Sequence, residues 1–414
     1  MMKAGQALIL FAAVAVAVPA CRTPPRSTPT PPVMTAKPAK VPVKAVEPAC
    51  RPGPEVNLPL PEPGTRLCVV DVGSRNVKLL VAQSSGQDPR GLYPVRTCRA
   101  RLQLGEKTQD ASTRQPKDLA EAHRLELAGL VQLYQNLCVA DGGRIVGAFA
   151  TEWARKVTNL PVVIEQVRRQ AGVLIEAIPQ EREGVLGYLA ATKGQRGRVV
   201  LDFGSRSFQI SVWPKGADAP YTIGLPLGID EAGERFFDPE TVANFAAGEK
   251  AFVAELRTRL ASLPEWKVNM KRGVGRLNRT LVSLGENGDV ALAIDGKLWT
   301  KGKRPDVVNE AGYLEHVAAV SARVQPLFGR TMGSYDVASL KAWRRRLQTD
   351  QSLFNALRAP DRRKAFGHKM LAFPVLVNFI AAQLSVDKLV LVPDELAMGV
   401  LVEGGSANAA VTKR

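Results

Sequence analysis

Aromatic residues are scarce in this chain, at 6%, and histidine is scarcer, with three in 414 residues. So few rings leave little with which to stack bases. No nucleic-acid recognition motif is present, so nucleic acid is not an expected partner. His123, His316 and His368 stand far apart, and the spacing of the five cysteines fits no zinc pattern, which argues against a metal site built on Cys and His. After Cys21 no apolar run is long enough to span a bilayer. Acidic residues are also in deficit: 39 Asp and Glu stand against 56 Lys and Arg, a formal charge of +17. That balance favours anionic partners such as phosphates or acidic lipid, without specifying one. What remains is ordinary for globular protein. A 45% hydrophobic content supports a real core, and the length predicts two folded domains.

The N-terminus reads MMKAGQALILFAAVAVAVPAC. Lys3, an apolar run from Ala7 to Val18 and the ending Pro19-Ala20-Cys21 have the layout of a secretory signal. The ending VPAC resembles a bacterial lipobox, which implies cleavage before Cys21 and lipidation of its thiol; a signal peptide cut elsewhere is the alternative. Arg22 after the cysteine resembles the pattern of Gram-negative lipoproteins sent to the outer membrane, facing the periplasm. Residues 1–20 are thus expected to be a lipoprotein signal. Residues 21–63, dense in proline, are expected to be an extended tether that cannot pack a core. Cys50, Cys68, Cys98 and Cys138 then permit two disulfides, in any of three connectivities.

From Thr65 the pattern changes to short apolar runs bounded by turns. LCVVDV, VKLLVAQ and VRTCRARLQL predict three meandering strands. They are followed by a helix in PKDLAEAHRLELAGLVQLYQNL, a strand RIVGAFAT, a helix around 152–171, a strand GVLIEAI and a helix opened by PQEREGVLGYLAA. The second half restarts the scheme with RVVLDF, SFQISVW and YTIGLPL, a long helix over 239–262, strand TLVSLG, a final long helix and strand KLVLV. VVDVGSRNVKLLV at 69–81 and VLDFGSRSFQISV at 200–212 agree at six of thirteen positions, including the run Asp-x-Gly-Ser-Arg. Gene duplication with a pseudo-twofold axis explains the repeat. The predicted class is α/β, two duplicated ribonuclease-H-like domains facing a central cleft, over 64–195 and 196–403, with 404–414 as a flexible tail.

The repeated turn has a chemistry. Gly73 and Gly204 let the chain reverse tightly, and successive backbone amides beside Ser74 or Ser205 form a concavity suited to phosphate oxygens. Asp71 and Asp202 end their strands and, with the halves face to face, would point into one cleft. Carboxylates so placed hold Mg²⁺ together with substrate phosphates. Simple capping of a turn is the plainer reading of either Asp alone.

These motifs in this order resemble the exopolyphosphatase and guanosine pentaphosphate phosphohydrolase (Ppx/GppA) family, in the actin-like, sugar-kinase and heat-shock ATPase superfamily. DVGSRNVKL is similar to the family's first phosphate motif, ATEWARKVTN to its Ala-Thr-x-x-x-Arg segment, QEREGVL to its acidic segment, and DFGSRSFQ to its second phosphate motif. LPLG at 225–228 also matches, and PDELAMGVL loosely resembles its C-terminal segment. The resemblance implies Asp71 and Asp202 as the carboxylates for Mg²⁺. It places Gly73, Ser74, Arg75, Gly204, Ser205 and Arg206 in the phosphate cradles and Arg155 on phosphate charge. Glu183 becomes the catalytic glutamate acting on water, with Glu181 as the competing assignment. It implies a polyphosphate-like or other phosphorylated anion as substrate, and leaves a homodimer open.

The departures from the family pattern fall on the chemistry. The three glycines of the second motif are Gly204-Ser205-Arg206 here, its terminal acid is Gln209, and Arg75 stands where the first motif has Asn. The glycine-rich nucleotide-side segment is SLGENGD, and Ala397-Met398 replace Arg-Glu. Two readings follow: a diverged phosphoanhydride hydrolase whose added arginines offset polyanion charge, or a non-catalytic relative that binds anions or acts as an envelope scaffold. The basic stretches at Arg344–Arg346, Arg362–Lys364 and 267–279 read as solvated faces, with guidance of a polyanion or contact with acidic headgroups as the alternatives.

Overall fold

The computed structural model describes residues 47–52, 66–84, 92–237, 242–263, 266–273, 279–284, 333–351, 364–392 and 396–411. The expected signal peptide, Cys21 and most of the tether lie outside them, as does most of SLGENGD. The described residues from Glu47 onward pack as one unit.

Three strands, β2 (Arg66–Val72), β3 (Asn76–Ser84) and β4 (Leu92–Arg101), form the expected antiparallel meander. β5 (Gly143–Ala150) adds parallel to β2, and the two-residue β6 (Glu176–Ala177) parallel to β5. The tether expectation needs correcting at one place. Ala49–Pro52 is a strand, β1, at the edge of this sheet and antiparallel to β4. Its Pro52 closes an edge strand, where a missing N–H is tolerated. The first sheet therefore runs β1-β4-β3-β2-β5-β6. Disulfides Cys50–Cys98 and Cys68–Cys138 select one of the three open connectivities. One ties β1 to β4; the other ties β2 to the end of helix α2 (Glu121–Ala140).

The second sheet repeats the plan. β7 (Val199–Phe203), β8 (Phe208–Val212) and β9 (Tyr221–Leu225) meander, and β10 (Thr280–Leu284) and β12 (Lys388–Val392) continue in parallel. β11 (Gly333–Asp336) adds antiparallel at the far edge, giving the order β9-β8-β7-β10-β12-β11. In each sheet the central strand after which the phosphate turn follows, β2 or β7, sits between its hairpin partner and a parallel strand.

The predicted helix around 152–171 is two helices, α3 (Glu152–Lys156) and α4 (Leu160–Ala171). Pro161 sits in the first turn of α4, where a proline starts a helix but would break one running through it. Gly172, at φ 68°, ends it in the left-handed region that favours glycine. α5 (Gln180–Thr192) closes the first half. α6 (Ile229–Phe236), α7 (Val242–Ala261), α8 (Trp266–Gly273), α9 (Val337–Thr349) and α10 (Lys364–Leu384) belong to the second. The last helix, α11 (Leu396–Val411), runs well into the stretch expected as a tail.

Among the described residues, three apolar clusters build the core. Val70, Leu79, Leu127 and Val163 lie in one behind the first sheet; Leu201, Ile210, Phe252 and Leu376 lie in another behind the second. The third lies between the sheets and joins Val69 and Leu80 of the first, Val200 and Val390 of the second, Leu189 of α5 and Leu401 of α11. It exists because the lobes exchange helices. α5, the end of the first half, packs on β7, β8 and β9, while α11, the end of the second, packs on β2 and β3. The two helices cross so closely that a Cβ on Gly399 would lie 2.1 Å from the Leu186 carbonyl oxygen. The boundary expected at 195 is thus a boundary in sequence, with α5 packed against the other lobe's sheet.

Candidate active site

Beside that shared core the two turns face one cavity of about 200 Å³. Its walls include Asp71, Gly73, Ser74, Arg75, Gly204, Ser205 and Arg206, with Glu183 beside Asp202, and Leu284 and Leu396 bring apolar surface to it. This is smaller than the roughly 300–1,000 Å³ of pockets that enclose whole drug-sized ligands, and it suits the end of one.

The turns are supported alike. The Gly73 N–H donates to the Asn76 carbonyl at 2.9 Å. A Cβ on Gly73 would stand 3.0 Å from the Asn76 oxygen, and one on Gly204 would stand 3.0 Å from the Ser207 oxygen. Behind the first turn, the Gly105 amide donates to the Ser74 carbonyl at 2.7 Å, and the amides of Leu102 and Gln103 donate to that of Arg75. Behind the second, the amides of Ile229 and Asp230 donate to the carbonyls of Gly204 and Ser205 at 2.9 and 3.0 Å. Carbonyls that would repel an anion are therefore engaged with the supporting backbone. Gly228, in the LPLG segment, makes this possible: a Cβ there would lie 2.3 Å from the Arg206 nitrogen. The second motif has lost glycines within the turn, while the close backbone approach behind it depends on Gly228.

Asp71, 3% exposed, and Asp202 project from the ends of β2 and β7. Burial pushes the Asp202 carboxyl up to about 6; Lys78 opposes the rise and Asp71 adds to it. Lys78, one strand over, also pairs with Asp71 at 3.6 Å. Two carboxylates that repel each other in an enclosed wall form a donor set suited to a hard cation. Among the described residues no group of three or more Asp, Glu, His or Cys is placed to hold a metal by itself. A cation here would have to complete its shell with water and ligand oxygens, as Mg²⁺ does readily.

Helix phase separates Glu181 from Glu183. Two residues apart on α5 they point to different faces: Glu181 is exposed and Glu183 is 7% exposed in the cavity wall. Burial raises the Glu183 carboxyl to about 8; the Arg155 charge opposes the rise, and Asp202 and Asp71 add to it. Arg155 is placed differently from the expectation. Its Nη1 donates to Glu183 Oε2 at 3.0 Å and to the Ile178 carbonyl at 2.9 Å, and the residue is not among those lining the cavity. It holds the glutamate from behind, because α3 ends beside the start of α5. Arg75 also differs. It lines the cavity, yet its Nη2 donates to both carboxylate oxygens of Asp230 in α6 at 2.5 Å.

One acid of the site was not singled out in the sequence. Glu152, buried and in the cavity wall, accepts from Ser74 Oγ at 2.9 Å and pairs with Lys156. Its sequence signal was an acid in the first turn of a helix, which is commonplace. Gln209, opposite Asp202 in register, is buried and donates to Ser207 Oγ at 3.2 Å. Asn159, matched by resemblance, grips both backbone polar groups of Leu119 and so has a structural role. Of the basic stretches, Arg344 pairs with Glu249 and Arg346 with Asp350, while Arg362, Arg363 and 274–278 lie outside the described residues.

A Ppx/GppA phosphatase family model matches residues 80–284. A Streptomyces coelicolor protein is 30% identical over 207 residues, covering 48% of this chain and 59% of its own length. Exopolyphosphatase 1 of Mycobacterium tuberculosis is 32% identical over 170 residues, covering 39% of this chain and 46% of its own. The chain thus spans about half the length of the curated relatives it matches. Among solved structures, an Aquifex aeolicus Ppx/GppA family member superposes with a TM-score of 0.62 at 22% identity, covering 83% of this chain and 98% of that one. A Cytophaga hutchinsonii exopolyphosphatase superposes with a TM-score of 0.58 at 14% identity, with the same coverage. They share its fold: two duplicated α/β lobes of the actin-like ATPase kind, facing a cleft. By the family model matched over residues 80–284, the chain belongs to the Ppx/GppA phosphatase family.

Proposed function

We propose that this member of the Ppx/GppA family hydrolyses the terminal phosphoanhydride of a polyphosphate-like chain, with Glu183 as the base. The observation that carries the reading is the convergence of both phosphate turns and a buried glutamate on one small cavity. The terminal phosphate enters between the turns at Ser74, Ser205 and Arg206. Glu183, held by Arg155, accepts a hydrogen bond from water and takes its proton as the oxygen attacks phosphorus, and the shortened chain leaves with the bridging oxygen. A Mg²⁺ held by Asp71 and Asp202 would offset charge on the phosphoryl oxygens. Glu152 fixes the rotamer of Ser74, and the apolar Leu284 and Leu396 limit water to what the reaction uses. We further propose an envelope lipoprotein anchored through Cys21 in the outer membrane. The two disulfides suit an oxidising compartment, where inorganic polyphosphate is a more natural ligand than an intracellular nucleotide.

A second reading has its own observation. Gln209 stands where the family's second motif ends in an acid, and its amide is spent on Ser207. A chain that binds the anion without cleaving it would result if that acid is indispensable. Phosphate release from long-chain polyphosphate with Mg²⁺, comparing the parent with Glu183→Gln, separates the two. Release lost in the variant supports the hydrolase. Background release from both, with polyphosphate still bound, supports the binder.

A further inference from the structure

The two arginines of the repeated Asp-x-Gly-Ser-Arg run both reach toward the opposite lobe. Arg75, in the first turn, meets Asp230 of α6 in the second lobe. Arg206, in the second turn, lies against the first lobe: a Cβ on Gly105 of the short helix α1 (Leu104–Lys107) would be 3.5 Å from its Nε. The crossing is reciprocal, but the electrostatics are not. Arg75 is held by both oxygens of a carboxylate, with side-chain exposures of 27% and 14% for the pair. No carboxylate pairs with Arg206 among the described residues.

α6 itself is built to be gripped. Asp230 and Glu234 are four apart and so share one face. Glu234 pairs with Arg114 of the first lobe at 3.0 Å. Arg114 is presented by a structured loop in which Asp110 Oδ1 accepts from the amides of Ser112 and Thr113. Glu231 and Arg235 belong to the neighbouring face, where Arg235 reaches Glu255 of α7. At its start, α6 is bonded to the carbonyls of Gly204 and Ser205. A grip on α6 from the first lobe therefore sets the position of the second phosphate turn relative to the first.

We propose that the twin arginines divide their work: Arg75, with Arg114, latches α6 to the first lobe and fixes the width of the cleft, while Arg206 is the guanidinium that receives the terminal phosphate. The phosphate half rests on the reading of the cavity as a phosphate site; the latch half does not.

The test uses the full chain carrying Cys21→Ser, spin-labelled at Glu121→Cys in α2 and Lys250→Cys in α7, both exposed positions in different lobes. It reads the inter-lobe distance by double electron–electron resonance and the binding of inorganic tripolyphosphate by calorimetry. Arg75→Ala is expected to lengthen and broaden the distance distribution, and the exchange Arg75→Asp with Asp230→Arg to restore it. Arg206→Ala is expected to leave the distance unchanged and to weaken tripolyphosphate by about tenfold or more, the scale of one charge-assisted contact. An unchanged distance in Arg75→Ala, or no recovery in the exchange, overturns the latch. Equal tripolyphosphate binding by Arg206→Ala and parent overturns the receiver. A parent that binds no tripolyphosphate overturns the receiver and the phosphate reading together, while the distances still decide the latch.

Discussion

The turn at Gly73–Asn76 and the turn at Gly204–Ser207 share sequence, hairpin and supporting backbone, and differ in what their side chains meet. In the first, Ser74 donates to Glu152 and Arg75 to Asp230, with Lys78 paired to Asp71. In the second, Ser207 accepts from Gln209, and Arg206 has no carboxylate among the described residues. The first turn is thus ionically saturated and the second offers positive charge to a ligand. The two turns repeat one backbone and differ in the partners their side chains meet. The lobes differ in a second way: both disulfides lie in the first, while the second relies on a broad apolar core carried by α6, α7, α9 and α10.

The sharpest break of the comparison is at the base, which the first half supplies on α5 to a cavity shared by both. Glu183→Gln is expected to lower phosphate release by about 10²–10⁴-fold, and Glu181→Gln to leave it near the parent. The rate should climb as pH rises toward about 8, where Glu183 loses its proton. Stability runs the other way. The carboxyl titrates near 4.5 unfolded and about 8 folded, so the folded chain keeps a proton that the unfolded chain releases. Its contribution is complete below 4.5 and is lost as pH rises through 8. Thermal unfolding should show Glu183→Gln more stable than the parent at pH 9 and equal to it at pH 4.

Next in size is the stapling of the first lobe. Replacing Cys68 and Cys138 by serine should cost about 4 kcal/mol by loop-closure entropy, read by urea unfolding. Removing Cys50–Cys98 should cost less, because it frees an edge strand of four residues. A loss confined to the second lobe would contradict this. The supporting glycines come third. Gly228→Ala forces backbone apart at 2.3 Å and should cost about 1–3 kcal/mol with loss of tripolyphosphate binding; Gly105→Ala, 3.0 Å from Ser74 Cβ, should cost less. The smallest effect is ionic. In 1 M salt the exposed Arg114–Glu234 pair should weaken while the more enclosed Arg75–Asp230 pair persists, seen as a slight broadening of inter-lobe distances.

Most strands and the central hairpins were legible because period and turn residues are local signals. β1 was not, because proline density argued against packing and its partner, Cys98, lies 48 residues away. Motif order pointed to Asp71, Asp202 and Glu183, and all three stand in the wall of one cavity. The acids that Arg155 and Arg75 meet were not legible, since a basic residue in a motif carries no mark of which acid it will pair with. Glu152 and Asp230 looked like ordinary first-turn acids.

By itself, then, the amino-acid order determined two α/β halves, a duplicated turn, and the acids and glycines at its centre, because these depend on neighbours along the chain. The tertiary structure decided which halves of the duplicate differ. The exchange of α5 and α11 brings the lobes together, and only then do Arg75 and Asp230, 155 residues apart, become partners. Ion pairs between lobes are set by how two surfaces dock, and no spacing within either surface records that.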